Sequence, residues 1–170
     1  MVRAKARLVA RGFKQREGID FFETFAPTPA ASCFRLLGAI ACELGLDLCH
    51  FDAEQAFVQS SLEDVFMRLP PGCGEMSGKI VRLNRSLYGL KQASRSWHNH
   101  LLTHMKSLGI EQSPADACVM RLIESGSVSI VTVHVDIFAV GLKARCDQFC
   151  EDLNRLVPIN SLGRLRWYAG

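Results

Sequence analysis

The stretch Val131-Thr-Val-His134-Val-Asp136-Ile-Phe-Ala-Val-Gly141 restricts the fold more than any other. Two short runs of β-branched and aromatic residues meet at a turn. Both are apolar enough to be buried, so they read as a hairpin inside a sheet. The carboxylate of Asp136 sits where the backbone reverses. A lone Asp at a turn ordinarily serves the turn itself, its short side chain bonding to nearby backbone N–H groups. A second carboxylate alters that reading. Leu46-Asp-Leu-Cys-His-Phe-Asp52 alternates like a strand, and Ala53-Glu-Gln-Ala-Phe57 then turns helical, which puts Asp52 at a strand end. Two carboxylates on neighbouring strand ends can hold hard divalent cations, which prefer oxygen ligands. Phosphoryl-transfer enzymes use such pairs to bridge two ions about 3.5–4 Å apart.

The other elements follow from periodicity and punctuation. Residues 19–29 contain Phe-Phe, Phe25 and two prolines, which favour an extended packed loop. Ser32 is the expected N-cap of a helix with Phe34, Leu37, Ala41 and Leu44 on one face and Gly45 as its stop. Val65–Leu69 and Lys79–Leu83 read as a strand pair around a Pro-Pro-Gly loop. The Gly72-x-Gly74-x-x-x-Gly78 spacing in that loop misses the dinucleotide fingerprint. A helix spans Gln92 to Leu108, with Ala93, Trp97, Leu101, Met105 and Leu108 on one face and Gly109 ending it. Cys118–Ile123 and Val128–Val133 form a strand, turn, strand unit, and a polar helix runs from Ala144 to Leu156. The last residues, Leu165-Arg-Trp-Tyr-Ala-Gly170, start a strand and stop, which reads as a truncation. Strands interleaved with helices in this order predict an α+β fold, with helices on one face of an antiparallel sheet.

A chain of 170 residues, 48% of them hydrophobic, can bury a core as one domain or two small lobes. The net charge of +3 is too mild to identify a nucleic-acid binder. Its distribution says more: Arg3, Lys5, Arg7, Arg11, Lys14 and Arg16 precede the first acid, Glu17. Such a run is either a solvated basic surface or a phosphate contact. The seven cysteines show no paired metal spacing, which suits reduced, mostly buried thiols in an intracellular protein. His100 and His104 have the spacing of a metal pair but lack the Glu and third ligand of a zinc site, and Cys146 with Cys150 lack further ligands. No charged-then-apolar leader opens the chain, no apolar run reaches about 18 residues, and no membrane partner is expected.

Several motifs occur together and in order. They are Lys5-Ala-Arg-Leu-Val-Ala-Arg-Gly12, Glu23-Thr-Phe-Ala-Pro27, Phe51-Asp-Ala-Glu-Gln-Ala-Phe57, Met67-Arg-Leu-Pro70, Leu87-Tyr-Gly-Leu-Lys-Gln-Ala93 with Arg95 and Trp97, and His134-Val-Asp136. In this order the chain resembles the reverse transcriptases of Ty1/copia-type retrotransposons, from about residue 3 to the C-terminus. The resemblance implies a fingers and palm architecture, the palm a ferredoxin-like antiparallel sheet. Fingers would span about 1–45 and 60–90, and palm about 46–59 and 91–170, with thumb and RNase H absent.

By the same resemblance, Asp52 and Asp136 would be the catalytic carboxylates, holding two Mg²⁺ ions for which Mn²⁺ could substitute. Phe57 would be an aromatic gate against a ribose 2′-hydroxyl; without the resemblance it reads first as a core Phe on the amphipathic turn. Lys91, Gln92 and Arg95 would shape the nucleotide and template pocket, where otherwise they form a solvated helix start. Lys5, Arg7 and Arg11 would contact triphosphate or template phosphates, and His134, in place of the family's Tyr, would pack near the primer end. The implied partners are an RNA template, a DNA primer, deoxynucleoside triphosphates and the remainder of a Pol polyprotein. For an intact element the location would be a cytoplasmic virus-like particle.

One departure falls at the centre of the pattern. The family carries two adjacent Asp residues before the apolar run and its Gly, whereas here Asp136 leads directly into Ile137-Phe-Ala-Val-Gly141. The run is intact, so loss of one Asp explains the pattern better than substitution. The expectation is an RNA-directed DNA polymerase domain that is inactive or impaired in this copy. The alternative is a non-catalytic nucleic-acid-binding remnant.

Overall fold

In the computed structural model, which describes residues 6–124, 127–133 and 135–165, the elements follow in a fixed order. They are α1 (Ala31–Glu43), β1 (Asp47–Ala53), α2 (Ala56–Gln59), β2 (Phe66–Arg68), β3 (Ile80–Arg82), α3 (Ala93–Ser107), β4 (Glu111–Gln112), β5 (Val119–Glu124), β6 (Ser127–Val133), β7 (Ile137–Gly141), α4 (Lys143–Asn154) and β8 (Ile159–Arg164). The chain divides into two units. One is Met1–Phe25 with Gln55–His100, and the other is Ala26–Glu54 with Leu101–Gly170.

The second unit is built on a six-stranded sheet in the order β4-β5-β6-β7-β1-β8, with every pairing antiparallel. All five residues of β7 are buried. Phe51 of β1 meets Phe149 of α4 edge-on, with centroids 5.7 Å apart. Leu48, on the alternate face of β1, packs with Val140 against Leu37 and Ala41 of α1. Successive strand residues point to opposite faces, so α1 and α4 cover opposite faces of the sheet. This corrects the expectation of helices on one face. The unbroken apolar run Ile137-Phe-Ala-Val140 is what a strand covered on both sides requires. The sequence reading also grouped α1 with the fingers, whereas here it packs on the sheet.

Helix α1 begins two residues earlier than the Ser32 cap predicts. Its N-cap is Ala30, in extended conformation after Pro29, and no side chain caps it. Its end is as expected: Gly45 takes φ +61°, and Leu46 N–H donates to the Ala41 carbonyl at 2.8 Å. Gly109 ends α3 the same way, with φ +76° and Ile110 N–H on the Met105 carbonyl at 3.0 Å. Both are glycine-terminated helix ends, in which a left-handed residue lets the next amides close on the last turn.

The first unit holds the two-stranded sheet β2-β3, paired Phe66↔Arg82, Met67↔Val81 and Arg68↔Ile80. Its core comprises Ala10, Val65, Leu90 and Ala93, with Phe57, Met67 and Leu87 packed against it. Gly12 and Gly89 let two backbone segments close to contact there: a Cβ on either would overlap a carbonyl oxygen, that of Gly89 or of Ala10. Ala10 N–H donates to the Tyr88 carbonyl at 2.7 Å across this junction. The Gly of the Tyr-Gly-Leu-Lys-Gln-Ala segment, with φ +87°, is therefore a packing requirement.

Candidate active site

Strand β1 pairs with β7 from Asp47↔Gly141 to Phe51↔Ile137 without interruption. The pairing ends at Phe51↔Ile137, and Asp52 and Asp136 are the residues that adjoin that last pair along the two chains. Directly opposed residues of an antiparallel pair share a face and lie about 4.5–5.5 Å apart at Cα. The two residues that the sequence separates thus flank one end of the β1–β7 pairing. Asp52 is exposed, and the Asp136 side chain is 42% exposed.

His50 belongs to the same face, two residues before Asp52, and the sequence reading missed it. Its Nε2 lies 3.1 Å from Asp136 Oδ2. Its ring stacks on Phe138, centroids 4.5 Å apart and planes 14° from parallel. Phe138 in turn meets Phe34 of α1 edge-on at 5.0 Å. A buried aromatic column therefore fixes the imidazole, and the imidazole fixes one Asp136 oxygen. The strand alternation of residues 46–52 already put His50 and Asp52 on one face; that was the available signal.

The remaining expected residues lie in the first unit. Gln92 is buried; it donates to the Asp20 carbonyl at 3.1 Å and accepts from Gln15 Nε2 at 3.0 Å. Gln15 Oε1 accepts the Lys91 backbone N–H at 2.8 Å, and the Lys91 ammonium sits 4.9 Å from the Phe21 ring centre. Arg95 pairs with Glu23 and reaches the Phe25 carbonyl at 3.4 Å. Arg7 lies 5.5 Å over Tyr88, whose ring packs edge-on with Phe57 at 4.8 Å. These contacts tie residues of the 15–25 segment to the start of α3, so Lys91, Gln92 and Arg95 do more than solvate a helix end. Arg11 lines a cavity of about 480 Å³ with Lys14, Arg68, Asp20 and apolar residues including Val9 and Met67. Lys14 belongs with Arg11 to the basic run of the sequence, whereas Arg68 was not foreseen beside it.

The family model described as reverse transcriptase (RNA-dependent DNA polymerase) matches residues 1–170. The chain belongs to the reverse transcriptase family. This reverse transcriptase domain is 35% identical over 177 residues to the "Retrovirus-related Pol polyprotein from transposon TNT 1-94" of Nicotiana tabacum, covering 100% of the chain and 13% of that polyprotein. It is 36% identical over 137 residues to the corresponding polyprotein from transposon RE2 of Arabidopsis thaliana, covering 79% of the chain and 9% of the relative. It is 31% identical over 123 residues to the "Truncated transposon Ty1-A Gag-Pol polyprotein" of Saccharomyces cerevisiae, covering 69% and 10%. The domain thus spans about a tenth of the length of these relatives. No solved structure matches it.

Reverse transcriptases generally use divalent metal ions. In this domain the donors for one would be the oxygens of Asp52 and Asp136. Among the described residues no group of three or more His, Cys, Asp or Glu side chains is arranged to hold an ion. Two carboxylates, one of whose oxygens is already engaged by His50, fit a cation whose other ligands are water or substrate phosphates. They do not fit a protein cage for two ions. Lys5 and His134 lie outside the described residues. Among the described residues no helix is long and apolar enough to cross a membrane.

The thiols are free. Burial pushes Cys146 up to about 12 and Cys118 up to about 11, with nearby negative charge adding to both. Cys49 is raised for the same first reason.

Proposed function

We propose that this chain is the template-directed polymerase portion of a Ty1/copia-type Pol polyprotein, and that its nucleotidyl transfer is impaired. The observation that supports the proposal is the β1–β7 register, whose last pair Phe51↔Ile137 is adjoined by Asp52 and Asp136, followed by an apolar strand with no second Asp. The reaction would join a primer 3′-hydroxyl to the α-phosphate of a deoxynucleoside triphosphate, with pyrophosphate leaving. Mg²⁺, or Mn²⁺ in its place, would supply charge neutralisation at the phosphates when bound.

The chain's own residues would bind and orient. Asp52 and Asp136 present carboxylates at the reacting end of the sheet. Arg11, with Lys14 and Arg68 across the cavity, offers positive charge to phosphates, and Arg7 and Lys5 extend that basic run. Phe57, packed edge-on against Tyr88, would serve as a wall that excludes a ribose 2′-hydroxyl. Gln92, Lys91 and Arg95 brace the pocket through their bonds to the early segment, and His134 would lie near the primer end. We take the unit with the six-stranded sheet as the palm and the other as the fingers. RNA template, DNA primer and the rest of the polyprotein would be its partners, within a cytoplasmic virus-like particle.

A second reading, a nucleic-acid-binding remnant without chemistry, is favoured by the His50 bond that already occupies Asp136. Primer extension on an RNA template with Mg²⁺ and then Mn²⁺ separates the two. The chain would be compared with a version carrying one Asp inserted after Asp136, both fused to a thumb segment from an intact relative. Extension only by the repaired chain is the expected result. Equal extension by both would overturn the claim of impairment, and extension by neither would favour the remnant.

A further inference from the structure

The β2-β3 sheet has two unlike faces. Met67 lies on the inner face, in the core with Ala10, Val65 and Leu90. Phe66, Arg68, Ile80 and Arg82 share the outer face, because directly paired residues project the same way. Phe66 is 61% exposed and Ile80 62% exposed. The pairing Phe66↔Arg82 and Arg68↔Ile80 makes a chequerboard, with the apolar side chains on one diagonal and the guanidiniums on the other. One N–H of Arg68 donates to the Gly78 carbonyl at 2.8 Å, and Arg82 pairs with the exposed Asp64 at 3.3 Å. Each guanidinium has five donors, so both retain capacity for a ligand. Phe66 and Arg68 also border the cavity that Arg11 and Lys14 line, so positive charge continues from one to the other.

We propose that this outer face is a platform for one or two nucleotides of unpaired single-stranded nucleic acid. A base would stack on Phe66 beside Ile80, with the flanking phosphates at Arg68 and Arg82. The occupant follows from the chemistry. Stacking on an exposed ring next to phosphate-binding arginines is the general mode of sequence-tolerant single-strand binding. Four side chains offer far less than the roughly 1,000 Å² that a specific protein interface needs. Asp64 is the anion that a phosphate would displace. The proposal rests on the reading that this chain handles nucleic acid; Arg68 is shared with the proposed phosphate cavity, whereas Phe66, Ile80 and Arg82 have no part in the proposed transfer.

The test is fluorescence anisotropy of the full chain with a labelled RNA–DNA duplex, either blunt or carrying an unpaired RNA extension. The wild type is expected to bind the extended form more tightly. Phe66→Ala is expected to lose about 5- to 150-fold of that advantage, the range of one base–aromatic stack, with blunt-duplex binding unchanged. Arg68→Gln and Arg82→Gln should each lower the slope of log K against log salt by about 0.7, and Asp64→Asn should tighten binding. An unchanged urea midpoint for Phe66→Ala excludes misfolding. No advantage for the extension, or one that survives Phe66→Ala while blunt duplex still binds, overturns the platform and leaves the polymerase reading standing. Failure to bind either duplex defeats the nucleic-acid reading and the platform with it.

Discussion

Replacing Gly89 by Ala should destabilise the chain more than any other single added methyl, for two separable reasons. Gly89 sits at φ +87°, where an L-residue costs about 1–2 kcal/mol. The new Cβ would also overlap the Ala10 carbonyl oxygen, so the Leu8–Arg11 backbone must withdraw. Withdrawal breaks the Ala10 N–H bond to the Tyr88 carbonyl, about 0.5–1.5 kcal/mol. It also uncovers the Ala10 methyl in the first-unit core, roughly 0.8 kcal/mol. The sum is about 3 kcal/mol.

Two controls isolate the parts. Gly78 has φ +76° and nothing within 4 Å, so Gly78→Ala carries only the backbone cost. Gly12→Ala carries the overlap with the Gly89 carbonyl but not the left-handed strain. Urea unfolding followed by fluorescence, with Trp97 buried in the same unit, gives the three midpoints. The expected order of loss is Gly89→Ala greatest and Gly78→Ala least, at an unchanged m-value. The Gly12→Ala, Gly89→Ala double variant should fall short of additivity, because both open one contact. Equal midpoints for Gly78→Ala and Gly89→Ala would refute the close-approach reasoning.

Other outcomes follow from buried polar groups. Thr132 is fully buried with no hydrogen-bond partner for Oγ1 among the described residues, so Thr132→Val should stabilise by about 1 kcal/mol in the same urea assay; a loss of stability would contradict it. Cys118 and Cys146, raised to about 11 and about 12, should resist a thiol reagent at pH 8 under native conditions while exposed Cys42 reacts. Peptide mapping that finds all three labelled at one rate would count against this. Burial lowers the His98 pKa below its ordinary 6.5, so the unfolded chain binds its proton more readily than the folded one. Its contribution is complete above about pH 6.5 and is lost as pH falls below that value. The fall in melting temperature from pH 7 to 5.5 should be steeper in the wild type than in His98→Gln, and parallel slopes would rule the effect out.

Much of this arrangement was legible in the residues. Asp52 and Asp136 were readable as strand ends because each closes an apolar or alternating run. Gly45 and Gly109 marked helix ends because only a left-handed residue closes the last turn so cheaply. Strand β8 was not legible: Ile-Asn-Ser-Leu-Gly-Arg has no apolar alternation, because in this edge strand Ile159 alone is buried, and its register with β1 shifts between His50 and Phe51. The two-sided cover of β7 was written in its unbroken apolar run but was overridden by the expected one-sided layer. The bracing of Gln92 by Gln15 could not be read at all, because polar pairs so distant in sequence leave no periodic trace.

The β6-β7 connection has one more consequence. Register is continuous from Val133↔Ile137 to Ile130↔Val140, and β7 keeps register with β1 from Asp47↔Gly141 to Phe51↔Ile137, so the proposed loss of one Asp leaves these paired strands in register. If the proposed impairment is correct, the lesion is silent to every assay of foldedness. Expression level, solubility and melting temperature would rank this copy with intact ones, and it could still occupy template that an active enzyme needs. Only counting the nucleotides it adds would tell the two apart.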